Sequence, residues 1–460
     1  MRYDKIFYGD IMIKQNTICA LSTASGVGGV AIIRVSGENS ISLLEKFFKP
    51  VNKINPRNFE PYKLYPGEFI NGDFKDFGMA VYFKGPKSYT GEDMVEFHCH
   101  GGIAITRNIL SSLLNAGATI ADRGEFTKRA FINGKLSLSS AEGLIDMINA
   151  ESDALLKAGY SLYREKLLSR VKSMQEILKN ILAEIDANID FPEYDLEEYQ
   201  IPDILDRLKK IQSDLSIMIS TFNSGKLIKN GVNVVLCGKP NTGKSSLLNA
   251  LLDYDKAIIS SVAGTTRDVV EGQLVINGII YNLYDTAGIR ESENEIETLG
   301  IERSKKMIES ANLIIFMLDS DREVDEEDIE IYNSIKDKNH IVVFNKCDKS
   351  NKFVFDKVDI KISAKTGENV DKLKSLMEEK VLGSGGLTDG EYIIEERHSS
   401  ILKSTKEDVD EAISEIEANV PVDAVSIDLK SAWSKLGEIS GESANERIID
   451  EIFSKFCVGK

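Results

Sequence analysis

The apolar residues in the first quarter of the chain follow two patterns, one typical of short strands and one of helices. Four segments are alternately or continuously apolar, which predicts strands. Ile103–Ala116 has helical spacing and stops at Gly117. Residues 1–123 are therefore predicted to form an N-terminal α+β domain. The predicted strands are Thr17–Thr23, Val30–Val35, Met79–Phe83 and Met94–His98.

Helical periodicity dominates residues 124–225 and 383–460 and predicts one all-α domain in two pieces. Apolar residues there recur at three- and four-residue steps, as in the core of a helix bundle. A break is expected at Asp190-Phe191-Pro192-Glu193, because proline disfavours helix in the residue before it. The predicted helices are Ser139–Ala150, Ala154–Ile189, Ile201–Thr221, Ile401–Ala418, Val422–Ile439 and Ser443–Phe456.

Residues 226–382, between these pieces, alternate strands with helices and predict an inserted Ras-like α/β domain. An apolar strand leads into Gly238-Lys239-Pro240-Asn241-Thr242-Gly243-Lys244-Ser245, and a helix follows. This is the context of a phosphate-binding loop, since glycines let backbone N–H groups face the phosphates and the helix N-terminus adds positive potential. Lys244 is expected to reach the β- and γ-phosphates, and the Ser245 hydroxyl to bind Mg²⁺.

Four further motifs follow in order and predict a guanine-specific switch. Thr266, in Gly264-Thr265-Thr266-Arg267-Asp268, is expected to complete the Mg²⁺ shell when the γ-phosphate is present. Asp285-Thr286-Ala287-Gly288 follows a strand, so Asp285 would hold Mg²⁺ through water and the Gly288 N–H would sense the γ-phosphate.

The base is predicted to be guanine from Asn345-Lys346-Cys347-Asp348 and Ser363-Ala364-Lys365. The Asp348 carboxylate can accept from guanine N1–H and N2–H₂, a donor pair that adenine lacks, so ATP is rejected. The residues predicted to bind nucleotide are Asn241, Thr242, Gly243, Lys244, Ser245, Ser246, Ser260, Ser261, Val262, Ala263, Gly264, Thr265, Thr266, Asp285, Thr286, Ala287, Gly288, Asn345, Lys346, Asp348, Ser363, Ala364 and Lys365.

One position departs from the Ras pattern. Ile289 stands where Ras-like enzymes carry a glutamine that orients water, and isoleucine cannot take that role. Compensation for the transition-state charge has three candidates: Arg267, Arg290, or a monovalent cation held by the Asn241 side chain and carbonyls of the loop Ser260–Thr265.

Composition limits the classes of function. The 460 residues suggest two to four domains, and five scattered cysteines without Cys-x-x-Cys spacing favour reduced thiols over disulfides or zinc. A net charge of −17 makes the chain a poor general binder of nucleic acid, so any RNA needs a partner or a local basic patch. No apolar run approaches about 18 residues, which predicts a soluble cytoplasmic protein without a membrane segment. His98-Cys99-His100 lacks further ligands nearby, so packing is favoured over metal binding.

The inserted nucleotide domain, the Gly-Thr-Thr-Arg-Asp motif and the terminal Cys-Val-Gly-Lys together resemble the MnmE (TrmE) family of tRNA-modification GTPases. The segments Gly28–Gly37, Ser88–Asp93, Gly124–Phe131 and Gly437–Glu442 are similar to that family as well. The resemblance covers nearly the whole chain after about Thr17.

The resemblance implies a homodimer formed through the N-terminal domain, which binds 5-formyltetrahydrofolate or a related one-carbon folate. On the matching positions Arg34, Glu96, Lys135 and Lys460 would contact the folate. It also implies a flavoprotein partner, MnmG, and addition of an aminomethyl-type group at C5 of the wobble uridine of tRNA.

The resemblance further implies K⁺ in place of the missing glutamine, bound by Asn241, Ser260, Val262 and Thr265, with Mg²⁺ on Ser245 and Thr266. Glu297 would orient the attacking water, and Cys457 would act in the modification step. The alternative is a ribosome-assembly GTPase of the Era or Der type, which would need a basic KH-like appendage where this chain is acidic and helical. A purely structural scaffold is disfavoured by the intact nucleotide motifs.

Overall fold

The computed structural model describes residues 16–190, 200–254, 272–285, 306–349, 355–382 and 392–460. The chain divides into two compact units. The first comprises the described residues up to Ile148, together with Gly159–Leu215 and Ile401–Lys460, and the second comprises Asn149–Ala158 and the described part of Ser216–Ser400. The units are coarser than the predicted domains, whose boundaries stay predictions.

The first unit begins with a seven-stranded sheet in the order β3-β4-β5-β6-β2-β1-β7. Neighbouring strands are antiparallel except β1 and β7. One face packs on helices α1 and α2 around aromatic side chains such as Phe47, Phe69 and Phe97, which bury the large apolar area that stabilises a sheet. The elements are β1 Ile18–Leu21, β2 Gly28–Ser36, α1 Ser40–Phe47, β3 Phe48–Pro50, β4 Leu64–Asn71, β5 Phe74–Phe83, β6 Met94–Gly101, α2 Ile103–Asn115 and β7 Thr119–Ile120.

All four predicted strands and the predicted helix of this region are present, within a few residues at their ends. The predicted strand Met79–Phe83 is the second half of the longer β5. Helix α1 and strands β3, β4 and β7 were not predicted. Strand β4 alternates buried and exposed residues, but it contains Pro66 and Gly67, which are rare in strands and hide the pattern.

Helices complete the first unit and also run into the second. The prediction of one helix over Ala154–Ile189 is wrong, because the chain turns between α5 and α6 at Glu165, whose φ is 60°. Ser140 stabilises this corner by donating to the Tyr163 carbonyl and the Glu165 carboxylate. Helix α6 ends at Asp190, where a break was predicted. The helices are α3 Glu125–Ile132, α4 Leu138–Ile148, α5 Asp153–Tyr163, α6 Lys166–Asp190, α7 Gln200–Ser220, α8 Phe222–Asn230, α12 Glu396–Glu417, α13 Val422–Ser440 and α14 Glu446–Ser454.

The second unit contains a six-stranded sheet in the order β13-β12-β11-β8-β10-β9, parallel except for the edge strand β9. Strands β8, β11 and β12 are almost wholly buried, as expected when helices cover both faces of a parallel sheet. The elements are β8 Val232–Cys237, α9 Lys244–Tyr254, β9 Gly272–Ile276, β10 Ile279–Asp285, β11 Leu313–Asp319, α10 Glu326–Ile335, β12 His340–Asn345, β13 Ile360–Lys361 and α11 Val370–Leu382. The predicted fold class, an α+β region, helices and an inserted α/β region, is confirmed. No helix within the described ranges is long and apolar enough to cross a lipid bilayer.

Arg129 on α3 is the largest fully buried side chain of the described residues and generates a stability prediction. Its guanidinium donates to the Asn16 carbonyl at 2.9 Å and pairs with Glu125 at 2.8 Å and Glu92 at 3.1 Å. Arg129→Met should lower the free energy of unfolding by about 3 kcal/mol, because two partly buried carboxylates lose their cation. Denaturant unfolding followed by the fluorescence of Trp433, in the same unit, measures the change.

The neighbouring Lys128→Ala is the matched control. Lys128 pairs with an exposed carboxylate, Asp450, and such surface pairs contribute less than about 1 kcal/mol. Equal unfolding midpoints for the two variants would contradict the structural role assigned to Arg129.

Candidate functional site

The loop between β8 and α9 has the backbone shape that its glycines predict. Gly238 and Gly243 have φ of 137° and 96°, values that side chains rarely adopt. A Cβ on Gly238 would lie 2.4 Å from the Met317 carbonyl oxygen, and one on Gly243 would lie 2.2 Å from the Asn345 amide nitrogen. The loop therefore approaches β11 and the end of β12 closely, and its turn leads directly into the N-terminus of α9.

Lys244 and Ser245 sit where the loop enters the helix. The Lys244 ammonium is buried and donates to the Gly238 and Lys239 carbonyls, each at 2.9 Å. The Ser245 hydroxyl lies 3.2 Å from a carboxylate oxygen of Asp285, at the end of β10. A hydroxyl and a carboxylate side by side form an oxygen donor set of the kind Mg²⁺ prefers, so these residues fit the predicted ion.

Asn345 joins the phosphate loop to the predicted guanine-binding loops. Its side-chain amide donates to the Thr242 carbonyl at 2.9 Å, and its side-chain oxygen accepts from the Ala364 N–H at 2.9 Å. The residue is buried, so both hydrogen bonds are shielded from water. Two predicted motifs, separated by more than a hundred residues in sequence, are thus held together by one side chain.

Asp348 is the predicted recognition residue for the base. The Ser363 hydroxyl donates to its carboxylate at 2.7 Å and is the main reason that the pKa of Asp348 lies below its ordinary value. The carboxylate is therefore ionised at neutral pH and can accept hydrogen bonds from two donors. Sequence reasoning had assigned Ser363 only to the loop near guanine O6, and its role in orienting Asp348 was not predicted.

Lys346 has φ of 69°, and its ammonium donates to the Asn241 carbonyl at 2.7 Å and contacts Asp319 at 2.6 Å. Burial raises the pKa of Asp319, but the hydrogen bonds from Lys346 and the Asp321 N–H, together with the charges of Lys346 and Arg322, outweigh burial and lower it overall. Asp319 closes β11 and was missed from the sequence. The signal available was an aspartate that ends an apolar strand on the same sheet edge as the other motifs.

Lys239 is a second residue whose role was missed. Its ammonium is buried and contacts the carboxylates of Asp325 and Glu327, at the N-terminus of α10. Burial lowers the pKa of Lys239, but these carboxylates raise it overall above the ordinary value. The Asp325 carboxylate also caps α10, so one residue fixes both the helix and the phosphate loop.

Part of the predicted site lies outside the described residues. This holds for the Mg²⁺ ligand Thr266, for three of the four K⁺ ligands, and for the water-orienting and charge-compensating candidates. The residues concerned are Ser260, Ser261, Val262, Ala263, Gly264, Thr265, Thr266, Arg267, Thr286, Ala287, Gly288, Ile289, Arg290 and Glu297.

A second group of predicted residues meets on the first sheet. The Arg34 guanidinium on β2 pairs with the Glu96 carboxylate on β6 at 2.9 Å, and His98 lies 3.3 Å from the other carboxylate oxygen. Burial raises the pKa of Glu96, but the contacts with His98 and Arg34 outweigh it and lower the pKa overall. The guanidinium also lies 5.3 Å from the ring centre of Tyr89 and 5.6 Å from that of Phe126.

The last residues of the chain approach this pair. The Gly459 carbonyl lies 3.5 Å from a guanidinium nitrogen of Arg34, so the tail that carries the exposed Cys457 lies beside it. Lys135, in contrast, donates to the Pro86 carbonyl at 2.8 Å, and within the described residues it forms no hydrogen bond or ion pair with Arg34 or Glu96.

The histidines next to Glu96 take part in local contacts. The His100 ring Nδ1 lies 2.7 Å from one carboxylate oxygen of the buried Asp76, and the other carboxylate oxygen accepts from the His100 backbone N–H. Cys99 lies between the two histidines in the sheet core, and burial raises its pKa to about 11. Burial likewise raises the pKa of Cys19 to about 11 and that of Cys237 to about 12.

Comparisons with known proteins cover nearly the whole chain. Residues 17–135 match the family described as GTP-binding protein TrmE N-terminus, and residues 138–457 match the MnmE helical domain. The tRNA modification GTPase MnmE of Alkaliphilus oremlandii is 38% identical over 98% of this chain and 100% of its own length. The tRNA modification GTPase MnmE of Fervidobacterium nodosum is 41% identical over 97% of this chain and 98% of its own length.

Among solved structures, Aquifex aeolicus Era bound to GDP and aluminium fluoride is 31% identical. The match covers 38% of this chain and 66% of that one, with a TM-score of 0.26.

The contact between Ser363 and Asp348 generates a prediction about guanine nucleotide affinity. Ser363→Ala should weaken GDP binding about 10-fold, because the recognition carboxylate loses a hydrogen bond that orients it. In the parent protein, affinity should be lost as the pH falls through the lowered pKa of Asp348. In the variant that pKa returns toward its ordinary value, so the loss should begin at a higher pH. Calorimetric titration with GDP across acidic pH measures both effects.

Ser334→Ala, which removes an exposed hydroxyl on α10, is the matched control and should bind GDP like the parent. If Ser363→Ala binds GDP with unchanged affinity and loses that affinity at the same acidic pH as the parent protein, Asp348 does not depend on this contact.

Proposed function

Because the chain belongs to the MnmE family of tRNA modification GTPases, we propose that it is a K⁺-stimulated GTPase that works with the flavoprotein MnmG in folate-dependent modification of the tRNA wobble uridine. That it hydrolyses GTP and acts in tRNA modification follows from family membership. The potassium, the folate, MnmG and the homodimer are the proposed part. The matches to the family over residues 17–135 and 138–457 favour this function over a ribosome-assembly GTPase of the Era or Der type.

The observation that carries the proposal is the convergence of three strand ends of one sheet on a single site. Lys244 and Ser245 follow β8, Asp285 ends β10, and Asn345 ends β12. Parallel strands present their carboxyl ends at one edge, and ligands bind there in open α/β sheets. The ionised Asp348 supplies the guanine preference, and Lys244 supplies positive charge beside the phosphates.

Mg²⁺, when bound, neutralises charge on the β- and γ-phosphates. Ser245 and Thr266 are proposed to hold it, and Asp285 is proposed to contact it through a water. Lys244 binds and orients the phosphates, and its burial keeps water away from the ammonium. Glu297 is proposed to orient the water, and Arg267 stays the candidate for an arginine contribution.

The potassium proposal rests on Asn241. Its φ is 64°, and the Lys346 ammonium holds its carbonyl, so the exposed residue has a fixed backbone at the rim of the phosphate loop. An amide oxygen is a suitable neutral ligand for a monovalent cation, and Ser260, Val262 and Thr265 are proposed to supply the others. The cation would replace the charge compensation that Ile289 cannot give.

The folate proposal rests on the Arg34–Glu96 pair. The lowered pKa keeps Glu96 ionised, so its carboxylate can accept the donors on the edge of a pteridine ring. Tyr89, which is half-buried next to Arg34, offers a flat face on which an aromatic ring can stack. Lys135 and Lys460 are proposed to meet the carboxylates of the glutamate tail.

Exposed apolar residues on the sheet support the proposed homodimer. On the face away from α1 and α2, Val30, Leu64, Phe77 and Met79 are 42% to 62% exposed and lie on three strands, β2, β4 and β5. Exposed apolar side chains on one face of a sheet can be buried against a partner. We propose that a second copy of the same sheet packs on this face. MnmG and tRNA are proposed to bind elsewhere on the protein. The protein is proposed to act in the cytoplasm.

The potassium proposal predicts that GTP hydrolysis is about 10-fold faster or more in KCl than in NaCl at equal ionic strength, because only the larger cation fills the site. Asn241→Gly should abolish the difference. Glycine tolerates the positive φ, so the substitution removes the amide without backbone strain. Phosphate release under saturating GTP measures the rates.

Asn249→Ala, an exposed asparagine on α9, is the control and should keep the stimulation. Equal rates of the parent protein in the two salts would remove the cation from the mechanism.

The folate proposal predicts saturable binding of 5-formyltetrahydrofolate, weakened about 10-fold or more by Glu96→Gln, since an amide presents a donor where the pteridine also presents donors. Glu68→Gln on the same sheet is the control. Fluorescence or calorimetric titration measures the affinities. A parent protein that does not bind the folate would refute this part of the proposal.

A further inference from the structure

The C-terminal tail docks against the turn that follows β1. The Gly459 carbonyl accepts from the Ser22 hydroxyl at 3.0 Å and lies 3.5 Å from a guanidinium nitrogen of Arg34. Ser22 itself is fixed, because its N–H donates to the Ile32 carbonyl at 2.8 Å on the neighbouring strand. One backbone carbonyl of the tail therefore contacts both a rigid hydroxyl and the cation of the Arg34–Glu96 pair.

Gly459 must be glycine for this approach. Its φ is 94°, and a Cβ would lie 2.1 Å from the Leu21 carbonyl oxygen and 3.0 Å from the Ser22 Cα. Both atoms are backbone, so neither can move aside as a flexible side chain would. The close packing is specific to this position of the tail.

The three residues before Gly459 also fix the course of the tail. Val458 forms an antiparallel bridge with Arg123, and the Gly124 N–H lies 3.4 Å from the Cys457 carbonyl. Phe456 is buried, whereas Cys457 is exposed. Beyond Val458, the Gly459 carbonyl accepts from the Ser22 hydroxyl at 3.0 Å. Terminal residues without such contacts are poorly ordered.

We propose that Ser22 is a positioning residue, which together with Gly459 holds the C-terminal tail so that Cys457 and Lys460 stand beside the Arg34–Glu96 pair. Cys457 is two residues from Gly459, a backbone path of at most about 7 Å. The thiol therefore stays near the pair as long as Gly459 is docked. This inference rests on the proposed function for its chemical meaning, since it places the tail cysteine at the proposed folate site.

The docking also couples the tail to the ligand. The Arg34 guanidinium donates to both the Glu96 carboxylate and the Gly459 carbonyl. A ligand that contacts Arg34 or Glu96 therefore changes the environment of the tail. Coupling of this kind is reciprocal: if the folate stabilises the docked tail, the docked tail raises the affinity for the folate.

Release of Lys460 by a carboxypeptidase specific for basic residues tests the docking directly, because the protease needs a free tail. Ser22→Ala should be cleaved about 3- to 10-fold faster than the parent, and Ser22→Thr, which keeps the hydroxyl, should restore the parent rate. Gly459→Ala should be cleaved faster still. Ser25→Ala, an exposed hydroxyl in the same turn, should behave like the parent. Unchanged cleavage in both Ser22→Ala and Gly459→Ala would overturn the proposal.

Measuring the turnover of uridine modification distinguishes this inference from the proposed function. With MnmG, folate and tRNA, Ser22→Ala should lose several-fold in kcat for uridine modification, with GTP hydrolysis and the unfolding midpoint unchanged and with rescue by Ser22→Thr. Faster cleavage with full modification activity would refute the positioning role. Absence of folate-dependent modification by the parent protein would refute the proposed function, while the cleavage result would still decide whether Ser22 holds the tail.

Discussion

The nucleotide site depends on the buried amide of Asn345, which accepts from one loop and donates to another. Through its two hydrogen bonds the phosphate loop and the base-binding loops keep a fixed separation. This separation has to match the distance between the base and the phosphates of a nucleotide. Lys346 reinforces the connection from the next position in the chain, since its ammonium joins Asn241 to Asp319. Two adjacent residues thus set the dimensions of the site before any ligand binds.

The second site uses a different principle. Arg34 and Glu96 neutralise each other on neighbouring strands, and aromatic rings cover the guanidinium. Such a pair is already desolvated in part, so a ligand with both donors and carboxylates can replace internal contacts with its own at low cost. The tail contributes a backbone carbonyl and no side chain at this point, which makes its position dependent on close packing.

Much of this was predictable because the motifs are local. The phosphate loop, Asp285 and Asn345 each follow an apolar strand, so strand order alone placed them at one edge. Ser363, Asp319, Lys239 and Ser22 were missed in their structural roles, because each acts through a partner far away in sequence. The single long helix predicted over Ala154–Ile189 failed for a related reason. Its apolar spacing continues through Glu165, and the tertiary contacts with Ser140 that help to stabilise the turn there cannot be read from that spacing.

Burial of the sheet cysteines has a practical consequence for labelling chemistry. Cys19, Cys99 and Cys237 stay protonated at neutral pH because their surroundings disfavour the thiolate, and the thiolate is the form that attacks electrophiles. Burial and Glu368 also raise the pKa of Cys347. A maleimide probe should therefore mark the exposed Cys457 in preference to the other four, giving a spectroscopic reporter on the unaltered chain.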